Sequence, residues 1–336
     1  MERACTSALP FEEQNIMSIP GRTLPFPLRR RFAIHAWTCL MTLMSWLSPV
    51  HATPELLPWV STLESPSLGG ATSSGASSYE AVPNGDEGYR VTTRFNGHDG
   101  KPLSLSFDLD RATAMTSMRD YGFSQQEVDA LQAQCIGNRE CTSETLDRAM
   151  RAYYRQHGLR VQQGPNRRMR LSVDIPHVVR RNRAAVQPMV VALRELGYEQ
   201  GFDAERRVST ATALVQSGFA YRLPQDVENG RRTLGFYTPP RTMEKGYGDC
   251  DTKSALLAAV LAGLGEKDVI GVHVPGHYLL GIAREPRAGD ASVEYGGRHY
   301  LLLEAAGPAP RPPGDVAKVT RAALASGQPI RIDPIF

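Results

Sequence analysis

The 336-residue chain lacks any pair of cysteine or histidine residues at zinc spacing, and its scattered carboxylates outline no calcium loop, so no metal or other cofactor is indicated. It lacks an excess of charge of either sign. Lys and Arg number 38 against 35 Asp and Glu, a formal +3, which is no electrostatic footprint for nucleic acid. The local basic group Arg167, Arg168, Arg170, Arg180, Arg181 and Arg183 has no interleaved aromatics and reads as a solvated face. No internal repeat is present, which excludes solenoids and propellers. Long apolar runs are missing as well. The longest, Phe32 to Leu47, is short for a membrane span and is interrupted by His35, Thr38, Thr42 and Ser45, so no permanent span is expected.

That segment has another reading. Arg29-Arg30-Arg31 precede it, and Ser48-Pro49-Val50-His51-Ala52 follow, with Val50 and Ala52 as a small-residue cleavage site. Residues 1–52 are therefore expected to be a signal peptide, with Met17 as an alternative start and Thr53 near the mature N-terminus. The expected location is periplasmic or secreted, and an uncleaved anchor is the alternative. Removing this segment takes away five arginines and three glutamates, so the charge falls from +3 to +1. Residues 53–85 are rich in Ser and Gly and read as a tether.

Beyond the tether, Tyr89, Val91, Thr93 and Phe95 alternate with polar residues, as do Leu103, Leu105, Phe107 and Leu109 after a glycine-rich turn, which predicts a β-hairpin. A helix is expected from Ser124, with Glu127 completing a capping box, and another from Ser143 to His157. These elements make an accessory module over residues 86–165. Cys135 and Cys141 lie between the two helices and would form a local disulfide in an oxidising compartment. A strand near Met169 to Ile175, a helix from Arg183 to Leu196 stopped by Gly197, and a helix from Ala204 to Gln216 follow. Helices then precede strands, an α+β order, in a domain spanning residues 166–336.

Cys250 stands in Gly246-Tyr247-Gly248-Asp249-Cys250-Asp251-Thr252-Lys253, immediately before a helical pattern of Leu256, Leu257, Val260, Leu261 and Leu264. A thiol at a helix start meets unsatisfied N–H groups and the positive end of the dipole, both of which favour the nucleophilic thiolate. The competing reading is a small buried hydrophobe. Asp249 and Asp251 disfavour a second negative charge and read as capping residues. His277 opens the apolar strand Tyr278 to Ile282, and Glu304 ends the strand Tyr300 to Leu303. One helix followed by two strands would bring all three side chains to one end of a sheet, where His277 would act as base and Glu304 would orient it. His273, on the preceding strand, is the rival histidine.

These residues resemble the bacterial transglutaminase-like cysteine proteinases of the wider papain-like superfamily. The resemblance rests on Gly248 to Lys253, on Val274-Pro275-Gly276-His277 and on Tyr300 to Glu304, with Ala213 to Tyr221 similar to the segment preceding the nucleophile. It covers about residues 186–310. Many members carry Asp as the third residue, where this chain offers Glu304. The resemblance implies a papain-like domain with helices before an antiparallel sheet, and Gln216 or Tyr221 as an oxyanion donor beside the Cys250 N–H. The expected activity is cleavage of peptide or amide bonds through a thioester, on a protein or peptide substrate of the cell envelope. Alternatives are an acyltransferase that passes the thioester to an amine and a binding module that has lost the chemistry.

Overall fold

The computed structural model describes residues 77–85, 88–163 and 169–336; the segment expected to be a signal peptide, Arg167, Arg168 and most of the stretch expected to be a tether lie outside them. Strands β1 (Ser78–Pro83), β2 (Gly88–Asn96) and β3 (Pro102–Asp110) form an antiparallel sheet in that order. The hairpin is thus present, and it has a third strand in the segment expected to be tether. Composition missed β1 because its contribution is made by Tyr79 and Ala81 alone. They turn toward the core, and the Tyr79 ring lies 5.1 Å from that of Phe219.

Helices α1 (Arg111–Arg119), α2 (Gln125–Ile136) and α3 (Ser143–Gln156) follow. Ser124 is the N-cap of α2, but the expected capping box does not form there. Glu127 is drawn instead to the Arg231 guanidinium at 2.9 Å and the Tyr153 hydroxyl at 2.5 Å. A box does form one helix later, between Thr142 and Thr145. Between these helices Cys135 and Cys141 are joined as a disulfide, with Cα atoms 5.3 Å apart.

The antiparallel pair β4 (Leu159–Gln163) and β5 (Met169–Val173) leads to α4 (Ile175–Asn182), α5 (Gln187–Glu199) and α6 (Ala204–Gly218). The helix expected from Arg183 to Leu196 is α5, which starts four residues later, and α4 ahead of it was not expected. Pro188 is tolerated only in a first turn, so α5 starts beside it and not at Arg183. Gly197 does not stop α5. It lies inside the helix, where a Cβ would meet the Arg207 side chain at 3.2 Å.

Short strands β6 (Ala220–Tyr221), β7 (Val227–Glu228) and β8 (Arg231–Arg232) precede α7 (Pro239–Lys245), β9 (Tyr247–Gly248) and α8 (Cys250–Leu264). From Cys250 to Leu261 every residue of α8 is buried, as expected of a helix at the centre of a core. The last elements are β10 (Val269–Val274), β11 (His277–Ala283), β12 (Ser292–Tyr295), β13 (Arg298–Leu303), α9 (Lys318–Ala325) and β14 (Arg331–Pro334). Their strands form one antiparallel sheet ordered β12-β13-β11-β10-β14. The protein is therefore a mixed α and β chain with helices largely preceding this sheet.

Alternation along the strands gives the sheet two apolar faces. Val269, Tyr278, Leu280, Ile282, Leu301 and Leu303 join the core built around α8. On the opposite face Ile270, Val272, Val274, Leu279, Tyr300 and Leu302 pack with Val316 and with Ala323 and Leu324 of α9. Residues 88–163 share the α8 core: Val91, Phe95 and Leu109 belong to it, and Thr93 Oγ1 donates to the Gly218 carbonyl at 3.2 Å.

Candidate active site

The start of α8 is built by close approach. Asp249 has extended backbone and caps the helix by accepting from Thr252 N at 3.3 Å, while Asp251 accepts from the same N–H at 2.9 Å. Both aspartates thus act as local acceptors, as their positions suggest. Gly246 ends α7 at φ 71°, and a Cβ on Gly248 would stand 2.4 Å from Thr252 Cγ2. A side chain at 248 would push the loop off the helix, so glycine fixes where Cys250 sits. Cys250 is the first residue of α8 and is 1% exposed.

The path of the chain directs the start of α8 toward the His277 end of the sheet. The end of α8 is joined by four residues to Val269, which pairs with Ile282, so the C-terminus of α8 lies by the Ile282 end of β11. The start of the helix, about 22 Å away at 1.5 Å per residue, lies toward the other end, where His277 begins β11 and pairs with Val274 across the Pro275-Gly276 turn. A direct tie supports this placement: Ser254, one turn beyond Cys250, donates through its hydroxyl to the Tyr278 carbonyl at 3.4 Å.

The imidazole and the carboxylate meet. His277 Nε2 lies 2.5 Å from Glu304 Oε1, with both side chains largely buried, and Thr320 Oγ1 donates to Glu304 Oε2 at 3.2 Å. Leu303 pairs with Leu280, so Glu304 follows directly onto the His277 end of the sheet. Burial opposes ionisation of Glu304. The hydrogen bond and charge of His277, the Ala317 N–H and the Thr320 hydroxyl outweigh it and hold the carboxyl below its ordinary range. An ionised Glu304 accepts the Nε2 proton, which leaves Nδ1 as the basic nitrogen of the ring.

Register does not exclude His273: cross-strand partners share a face, so His277 goes with Val274, and His273, paired with Tyr278, goes with the face that meets the α8 core. What sets His273 apart is its partner. Its Nε2 meets Asp333 Oδ2 at 2.8 Å, beside Arg331, and Asp333 also binds Arg160 at 2.8 Å. This cluster fastens β14 to the sheet.

The two oxyanion candidates separate. Gln216 is buried, and its amide donates to the Glu304 carbonyl at 2.5 Å and the Arg311 carbonyl at 2.8 Å. Both amide hydrogens are then engaged, and Oε1 accepts from Arg311 N at 3.1 Å and contacts His98 Nε2 at 3.0 Å. Gln216 therefore anchors the segment after β13 and has no donor left for an oxyanion. Tyr221 is 39% exposed on β6, which pairs in parallel with β9, Tyr221 opposite Gly248. It stands at the approach to Cys250.

One residue of the motif was given no role of its own by the sequence. Lys253 is fully buried, and its ammonium donates to the carbonyls of Gln216, Phe219 and Ala306 at 3.0, 2.9 and 2.7 Å. A lysine just ahead of the apolar run that begins at Ala255, in a helix start buried throughout, is the trace it leaves.

A cleft of about 370 Å³ between α1 and α4, lined among others by Thr113, Asp120, His157, His177 and Arg181, includes none of Cys250, His277 and Glu304. The buried His277–Glu304 pair thus lies outside this cleft. Of the basic group, Arg180 binds the Ile335 carbonyl, and Arg181 binds the Gln156 carbonyl and Asp120, so part of it is used internally. Among the described residues no cluster of three or more His, Cys, Asp or Glu is arranged to hold a metal ion, and no helix is long and apolar enough to cross a membrane. Comparison with protein-family models, with curated proteins and with solved structures gives no match.

Proposed function

We propose that this chain is an exported thiol hydrolase of transglutaminase-like, papain-like type that cleaves peptide or amide bonds of cell-envelope substrates. The observation that carries the reading is the buried His277–Glu304 pair at the end of the sheet toward which the Cys250 helix begins. Glu304 holds His277 with Nε2 protonated, and Nδ1 removes the Cys250 proton. The thiolate attacks the carbonyl carbon, and the Cys250 N–H, with Tyr221 at the approach, receives the developing oxyanion. The imidazolium then protonates the departing amine as the C–N bond breaks, leaving a thioester on Sγ. Water, deprotonated by His277, opens the thioester and restores the thiol. The paired Cys135 and Cys141 are compatible with an oxidising compartment, and Cys250 keeps its thiol there.

The test uses the full chain with p-nitrophenyl acetate. A burst of p-nitrophenolate equal to the enzyme, lost on prior treatment with iodoacetamide and in Cys250→Ser, is the expected result. Steady hydrolysis unaffected by a primary amine separates hydrolase from acyltransferase, whose acyl group would appear on the amine. No burst, together with alkylation of Cys250 no faster than in the denatured chain, refutes both readings and leaves a binding module.

A further inference from the structure

Asp249, Asp251 and Glu304 are all buried, so the proposed thiolate would form among three carboxylates. Like charges in a low-dielectric site raise the proton affinity of the thiol, and a helix dipole supplies only about half a charge against them. The titratable groups around the helix start are those two aspartates, His277 from β11, Glu304 beyond β13, and the phenols of Tyr121 and Tyr278. Burial chiefly, and Asp251 in addition, push both phenols up. The cationic side chain in the first turn of α8 is Lys253.

Its surroundings define its charge state. An ammonium has three donors and no acceptor, and Lys253 Nζ faces three carbonyl oxygens, at 3.0, 2.9 and 2.7 Å. A neutral amine would turn a lone pair on one of them. The three carbonyls belong to the end of α6, the loop into β6 and the segment two residues past Glu304. Lys253 is also three residues from Cys250, hence on the same side of the helix. The Gln216 side chain reinforces the link by donating to the Glu304 carbonyl itself.

We infer that Lys253 is a positioning residue of this site, a buried cation that ties the Cys250 helix to the Glu304 segment and offsets Asp249 and Asp251 so that the thiolate forms. The inference rests on the thiol-hydrolase reading given above. A unit charge one helical turn away in a protein interior moves a titration by about one unit.

The experiment titrates Cys250 in the full chain through the pH dependence of iodoacetamide alkylation, and reads kcat and KM with p-nitrophenyl acetate. A wild-type thiol titrating near the ordinary value of about 8.5 refutes the hydrolase reading and takes this inference with it. Given a low wild-type value, Lys253→Met is expected to raise it by about one unit and to lower kcat at least tenfold with little change in KM. Lys253→Arg, which keeps the charge, is expected to hold the titration near wild type. Unchanged titration and kcat in folded Lys253→Met overturn the inference and leave the hydrolase reading standing. Should Lys253→Met fail to fold, the double variant D251N/K253M, which removes one charge of each sign, replaces it. It should titrate near wild type with kcat still lowered. Full kcat, or a titration still raised by a unit, overturns the inference.

Discussion

Replacing Glu304 by Gln removes one charge from the site and little else. The amide has the shape of the carboxylate, its Oε1 still accepts from His277 Nε2, and the Thr320 hydroxyl, which donates to Oε2 at 3.2 Å, can rotate to accept from the new NH₂. The Gln216 bond is to the residue 304 backbone carbonyl, so the segment keeps its tether. What changes is the support for the imidazolium. A hydrogen bond to an ionised partner contributes about 1.5–3 kcal/mol and a neutral one about 0.5–1.5 kcal/mol, a loss of about 1–1.5 kcal/mol. The acylation rate with p-nitrophenyl acetate should fall about five- to fifteen-fold. Acid stability should change too. Glu304 is held below its ordinary range, so its contribution is present above the unfolded value of about 4.5 and is lost as pH falls through the lower folded value. Glu304→Gln should lack that component of acid unfolding, read by circular dichroism between roughly pH 5 and 3. A folded variant acylating within twofold of wild type, with an unaltered acid limb, would refute the orienting role of Glu304.

Cys250→Ser is expected to abolish the acylation burst while the melting temperature stays within a few degrees, since the two side chains differ little in volume; a retained burst would move the nucleophile elsewhere. His277→Ala should be as inactive as Cys250→Ser, and the double variant no worse, because the two act as a unit. His273→Ala should leave Cys250 alkylation near wild type. Burial, with Arg331 and Arg160, holds His273 below the ordinary imidazole value despite Asp333, so its neutral form supports the fold above about pH 6.5 and that support fades as pH falls through and below this value. Thermal melts from pH 7.5 to 5 should show the dependence weakened in the variant, and loss of alkylation matching that of His277→Ala would exchange the two histidines. Reducing the Cys135–Cys141 bond, whose partners are six residues apart, should cost about 2 kcal/mol by loop entropy and leave Cys250 alkylation unaltered; a coupled loss of reactivity would contradict the surface role of the bridge.

The parts of this chain that could be read from sequence are those whose pattern is imposed by their own neighbours. Leu256, Leu257, Val260 and Leu261 mark α8 by local spacing, and the hairpin of β2 and β3 by alternation. The choice between His273 and His277 was not legible in this way. The two-residue Pro275-Gly276 turn sets Val274 opposite His277, and parity puts His273 with Tyr278 on the α8 face, so only their distant partners, Asp333 and Glu304, tell the two apart. Where reading failed, the deciding partner lay far along the chain. Glu127 fits a capping box with Ser124, yet Arg231, more than a hundred residues later, takes its carboxylate. Strand β1 lies in a stretch of loop-like composition because only Tyr79 and Ala81 face inward, and the surface they cover is supplied in part by Phe219. Gln216 reads as an oxyanion candidate and Lys253 only as one residue of a motif, yet the amide of one and the ammonium of the other are bound by main-chain oxygens. A carbonyl is present at every residue and leaves no signature in composition or spacing, so side chains that fix a site by binding carbonyls from distant segments become visible only once the chain is folded. That is why the three proposed groups could be picked out from their motifs, while the carbonyl bonds that tie the Glu304 segment to α8 and to Gln216 could not.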